Sequence, residues 1–104
     1  MKFDIITIFP QIFDSYFSES ILGRAQKTKK IYIKIHNLRD YTKDKHNKVD
    51  DKPYGGGVGM VFQVEPIYRA LKSIRALNKK NTKVILFSAK GKKFDQETAQ
   101  RLSK

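Results

Sequence analysis

Cysteine is absent from this 104-residue chain. That excludes a disulfide framework and any zinc site built on thiolates, and it suits a reducing compartment. Long hydrophobic runs are absent too: the longest falls far short of the roughly 20 apolar residues that span a bilayer. The N-terminal MKFDIITIFP lacks the layout of a secretion signal, because its apolar stretch is short, holds Asp4 and ends at Pro10. A soluble, cytoplasmic protein with no membrane partner is expected. Apolar residues are scarce, at 39%, against roughly 45–50% in ordinary domains when Gly is counted. The core should be modest, with seven Phe and five Tyr supplying much of its bulk. Acidic residues are also scarce. Ten Asp plus Glu face 22 Lys plus Arg, for a net charge of +12, a balance that favours a polyanionic partner such as nucleic acid. Seventeen of those 22 cations are Lys, so part of the excess is an ordinary solvated surface.

What is present alternates. Phe3–Phe9 (FDIITIF) is almost continuously apolar and rich in β-branched and aromatic residues, the pattern of a strand buried on both faces. Pro10 ends it and can open a helix, in which Ile12, Phe13, Tyr16, Phe17 and Ile21 recur at helical spacing up to a stop at Gly23. Ile31–Ile35 reads as a second strand. Pro66 opens a second helix with Ile67, Ala70, Leu71, Ile74 and Leu77 on one stripe. Lys83–Ser88 (KVILFS) reads as a third buried strand. A last helix starts near Asp95, a good N-cap, with Phe94 and Ala99 placed for a hydrophobic staple. The expected class is therefore α/β, a mostly parallel sheet flanked by helices, in one domain spanning 1–104.

Between the second strand and second helix, the 25 residues His36–Met60 lose all regularity. Compact domains rarely keep so long an irregular segment without a functional reason. Within it, DDKPYGGGVGM (50–60) holds four of the six glycines. It is not a P-loop, because Gly59 is followed by Met60 and Val61 rather than Lys and Ser or Thr. Nor is it a dinucleotide fingerprint, because the sixth position counted from Gly55 is Met60 and loop precedes it. Two readings remain: a surface loop needing several left-handed turns, or a substrate-facing loop. Its ionisable neighbours are Arg39, Asp40, Asp44, His46, Asp50 and Asp51. His36 and His46 are the only histidines, and their spacing alone makes no metal site. They suit either base chemistry or a structural part, with Asp50 or Asp51 capping loop amides and His46 packed on the loop. FSAKGKK (Phe87–Lys93) lies directly after the third predicted strand, where parallel sheets bind ligands, although an ordinary connecting loop reads the same way.

Taken together, IITIFPQIF (5–13), GRA (23–25), LRDYTKDKHNKVDDKPYGGGVGM (38–60), VEP (64–66) and VILFSAKGKKFDQ (84–96) resemble the bacterial tRNA (guanine-N1)-methyltransferases over essentially the whole chain. The resemblance implies the N-terminal part of a SPOUT domain, the class whose later half is tied in a trefoil knot. The knot segment and a small helical domain would be missing here. It also implies a homodimer that transfers methyl from S-adenosylmethionine to N1 of the guanosine just 3′ of the tRNA anticodon, with magnesium left open. Leu86, Phe87, Ser88, Ala89 and Gly91 match cofactor-contacting positions. Arg24, His46, Asp50, Gly55, Gly56, Gly57 and Gly59 are the expected substrate contacts. The general-base aspartate is expected beyond Lys104, so no catalytic residue is assigned within the chain, which is expected to be inactive alone. The family's usual Pro is replaced at Val58 and commonly at Ala89, which implies looser loops. The alternatives are a non-catalytic basic RNA-binding remnant and a bare dimerisation fragment.

Overall fold

The computed structural model describes residues 1–53, 55–56 and 59–104. Gly57 and Val58, one a proposed substrate contact and the other the site of the missing proline, lie outside the described residues. Strand β1 (Lys2–Thr7) pairs in parallel with β2 (Tyr32–Asn37), in register from Lys2 opposite Tyr32 to Thr7 opposite Asn37. The link between them is helical, as a parallel pair requires. It comprises a 3-10 turn (Pro10–Phe13), α1 (Asp14–Ser18) and α2 (Ser20–Lys27).

The single helix expected here is broken. Glu19 is extended, and Ser20 takes a φ of +54°. Gly23 is not the predicted stop: it lies buried inside α2. A Cβ on it would collide with the carbonyl oxygen of Ser18 and lie 2.9 Å from that carbonyl carbon. The glycine is there so that α2 can fold back onto the end of α1. The Gln26 amide reinforces the junction by donating to the Phe17 carbonyl. Phe13 and Phe17 stack with centroids 5.3 Å apart. They and Gly23 line a cleft of about 350 Å³ against Ile33 and Ile35 of β2.

Side chains alternate across the pleat, so Ile6 falls on the other face from Ile33 and Ile35. There, with Ile8, it packs on the buried cluster of Leu38, Val49 and Ala70, joined by Tyr41 and Ile67. Ile67 and Ala70 come from α3 (Val64–Ser73), which starts two residues ahead of Pro66 and ends before Leu77. Leu38 belongs to a second 3-10 turn, Leu38–Tyr41, that follows β2 directly. Because Leu38 is only 3% exposed, Leu38→Ala should cost the intact protein about 2–5 kcal/mol in chemical denaturation. A loss below about 1 kcal/mol would mean that this cluster is not the core.

Two further expectations fail. The 36–60 stretch is not wholly irregular: β3 (Asp50–Asp51) and β4 (Val61–Phe62) pair antiparallel at its end. Lys83–Ser88 is not a strand, and it is not buried. Val84, Ile85, Leu86 and Phe87 are all more than half exposed, Leu86 by 83%. A strand exists only through hydrogen bonds to a neighbour, and no described strand lies beside this one. The last helix, α4 (Gln96–Leu102), forms as expected, with the Asp95 carboxylate accepting from the Thr98 N–H at 2.8 Å. Hydrogen bonds from the Thr98 hydroxyl and then its N–H hold the Asp95 carboxyl below the usual carboxylate range. Phe94 stays half exposed. No helix among the described residues is long and apolar enough to cross a membrane.

Candidate functional site

The glycine loop is the connection of the β3–β4 hairpin. Its base is pinned twice: the Gln63 N–H donates to the Val49 carbonyl at 2.7 Å, and the Gln63 side-chain amide donates to the Asp50 carbonyl at 3.2 Å. Val49 is 1% exposed, so it anchors the hairpin in the core. Gly55, Gly56 and Gly59 have φ of +78°, +88° and +90°, and a Cβ at any of them would meet nothing within 4 Å. Glycine is therefore required by backbone angle. Crowding by the described residues plays no part.

The turn ahead of β3 is built from short polar bonds. The Asp44 carboxylate accepts from the Lys48 N–H at 3.0 Å, and Asn47 adopts a φ of +52°. Arg39 Nη1 donates to the Asn47 carbonyl at 3.3 Å. The Thr42 hydroxyl reaches both the Arg39 carbonyl (2.9 Å) and Asn47 Oδ1 (3.0 Å). His46 is exposed on this turn rather than packed on the loop, and Asp50 is half-buried at its end. Asp51 does cap a loop amide, accepting from the Lys52 N–H at 2.8 Å, and pairs with Lys48 at 3.7 Å. The turn and the start of α3 enclose a cleft of about 310 Å³ whose walls include Lys43, Lys48, Gln63 and Arg69.

The structure thus puts Asp50, Gly55, Gly56 and Gly59 on one hairpin and His46 on the turn that leads into it, but leaves Arg24 out. Arg24 is exposed on α2, which covers the opposite face of the strand pair. The predicted cofactor stretch is open as well. Leu86 and Phe87 are exposed, while Ser88–Gly91 forms a tight turn closed by Gly91 N–H donating to the Ser88 carbonyl at 3.0 Å. A Cβ at Gly91 would sit 3.2 Å from that same oxygen. Neither cleft lies at this stretch, so these residues give at most one wall of a cofactor site. Among the described residues no group of three or more His, Cys, Asp or Glu side chains could hold a metal ion.

Sequence reasoning missed the clamp on α3, where Arg69 pairs with Glu65 and donates through Nη1 to the Tyr41 carbonyl at 3.1 Å. The Glu65–Arg69 spacing of four on one helix was the available signal. The two histidines also part ways: His36 is buried, with Nε2 2.8 Å from Asp4 Oδ1.

These features define an α/β domain with a parallel strand pair and a glycine-rich hairpin that a lysine-bearing turn leads into. Residues 1–104 match the family model described as tRNA (Guanine-1)-methyltransferase TrmD, and the chain belongs to that family. The tRNA (guanine-N(1)-)-methyltransferase of Ruminiclostridium cellulolyticum is 49% identical over 104 residues, all of this chain and 45% of that protein. The protein of the same name from Dictyoglomus turgidum is 50% identical over 104 residues, 41% of its length. The crystal structure of tRNA (m1G37) methyltransferase from Aquifex aeolicus superposes with a TM-score of 0.85 at 34% identity, covering all of this chain and 46% of that one. The chain therefore spans less than half the length of the relatives it matches. The family read from the motifs is the one found, and the fold is the expected α/β class.

Proposed function

We propose that the protein bearing this chain methylates N1 of the guanosine 3′ of the tRNA anticodon, and that this chain supplies the substrate-side hairpin. The match to one methyltransferase family along all 104 residues carries the reading. The hairpin's form supports it. Three glycines in left-handed conformations, with open space where their side chains would stand, let a flipped base come up against bare backbone. His46 and Asp50 would then offer polar contacts beside it, and Arg24 would meet a more distant part of the tRNA.

S-adenosylmethionine is the methyl donor in this reading. Leu86–Gly91 alone do not enclose such a ligand, so the chain's own residues are assigned substrate placement and no part in the transfer step. Attack by guanine N1 needs its proton removed and the charge growing on O6 stabilised, and both tasks fall to groups outside the residues assigned here. Dimerisation is part of the reading. The exposed apolar row Phe9, Ile12, Tyr16 and Ile21 along the first turn, α1 and α2 supports it. A location in the cytoplasm follows from the tRNA substrate.

Single-turnover methylation tests the assignment. In the intact protein, Asp50→Ala and Gly59→Ala should each slow the reaction at least about tenfold, the scale of lost substrate positioning. Unchanged rates would remove the hairpin from the site. Arg24→Ala should weaken tRNA binding and lower the slope of log K against log salt by about 1. A slope that stays put would exclude Arg24 from phosphate contact. If the protein binds tRNA but never methylates it, the non-catalytic RNA-binding reading takes over.

A further inference from the structure

The buried histidine has no part in the reading above. His36 is 8% exposed, near the carboxyl end of β2, opposite Ile6 of β1 and on the sheet face it shares with Asp4 and Lys34. Burying a polar ring where Leu or Phe would pack costs free energy unless its polar atoms are satisfied. Both ring nitrogens have partners. Nε2 is 2.8 Å from Asp4 Oδ1 on β1, and Nδ1 makes a longer 3.4 Å contact with the Tyr41 hydroxyl on the second 3-10 turn. The carboxylate can only accept, so Nε2 carries the proton. In the neutral ring Nδ1 is then an acceptor, to which the Tyr41 hydroxyl can donate. The imidazole thus ties three elements together with directional bonds, whereas an apolar side chain would only fill space.

Tyr41 passes the constraint on. Its carbonyl is gripped by Arg69, itself paired with Glu65 on α3. The next residue is Thr42, whose hydroxyl, together with the Arg39 guanidinium, holds Asn47 beside His46. Between Tyr41 and Val49 the turn buries no residue, so its path depends on these bonds and on how Tyr41 is placed.

We propose that His36 is a positioning residue: held between Asp4 and Tyr41, its ring sets the angle at which the turn of residues 42–48 leaves the sheet, and so where His46 is presented. The value of this for catalysis rests on the substrate-side reading of the hairpin, but the mechanical claim does not.

The test uses the intact protein, with Tyr41→Phe (which removes only the hydroxyl) and His36→Phe (which keeps the core filled and removes both bonds). In the unaltered protein, ¹⁵N NMR should find His36 as the Nε2–H tautomer, and Tyr41→Phe should shift the Nδ1 resonance while leaving that tautomer in place. Amide exchange at Asn47 and Lys48 should speed about fivefold in Tyr41→Phe, as expected for one lost hydrogen bond, and more in His36→Phe. KM for tRNA should rise in parallel while kcat holds. Two results overturn the proposal: an Nδ1–H tautomer, or unchanged exchange at both amides in both variants. Weaker tRNA binding with unchanged exchange also overturns it, because His36 or Tyr41 would then act on RNA directly. Faster exchange with unchanged tRNA kinetics supports the mechanical claim and counts against the hairpin as a substrate contact.

Discussion

Made alone, the 104-residue chain is expected to melt over a broad range with no cooperative transition, and to bind a hydrophobic dye strongly. A compact monomer of 12.1 kDa exposes about 6,000 Å². This chain exposes 9376 Å². Its radius of gyration is 15.8 Å, against about 13 Å for a compact domain of this length. Among the described residues only Leu38, Val49 and Ala70 are buried hydrophobics. So little burial offsets the conformational entropy of some hundred residues poorly, since that entropy costs about 1–2 kcal/mol per residue for the backbone alone. Calorimetry with dye binding tests the expectation. A single sharp endotherm with equal calorimetric and van't Hoff enthalpies would refute it.

The second large effect is at Gly23. Gly23→Ala should destabilise the intact protein by about 1–3 kcal/mol, the usual cost of forcing a methyl into an occupied site. The obstacle is backbone: the Ser18 carbonyl stands where the methyl would go, so no side-chain rotation relieves the clash. Relief requires α1 and α2 to separate, which would also break the Gln26 bond to the Phe17 carbonyl. Gly55→Ala isolates the other cause, because its added methyl meets nothing within 4 Å and its cost, about 1–2 kcal/mol, comes from the φ of +78° alone. If Gly23→Ala melts within a degree or so of the parent, the junction is looser than described.

Gly23 also shows what the sequence concealed. A glycine after an apolar helical stripe looks like a stop, and only the close approach of Ser18 reveals its purpose. β1, β2, α3 and the Asp95 cap were legible because short-range patterns decide them. The apolar run 3–9, the alternation at 31–35, the stripe from Ile67 to Ile74 and the side-chain acceptor at the N-cap all act locally. The β3–β4 hairpin was not legible, because two-residue strands leave no period to read. KVILFS was misjudged for the opposite reason. Its composition is that of a buried strand, but burial and pairing are supplied by other segments. At the candidate site, motif resemblance pointed to Arg24, His46, Asp50 and the glycines, of which Asp50, Gly55, Gly56 and Gly59 lie on the hairpin. It gave no hint that His36 is buried on Asp4, a pairing 32 residues apart in sequence.

The open Val84–Phe87 segment also bears on the protein's life before it is fully folded. Four adjoining β-branched, aliphatic and aromatic side chains, without proline or charge, are the ingredients of intermolecular β-aggregation. Lys83 precedes them, and Lys90, Lys92 and Lys93 follow closely. Charges bordering a sticky strand act as gatekeepers, since stacking copies in register would stack like charges too. Lys83, Lys90, Lys92 and Lys93, part of the chain's basic excess, therefore also keep nascent copies of this chain from one another.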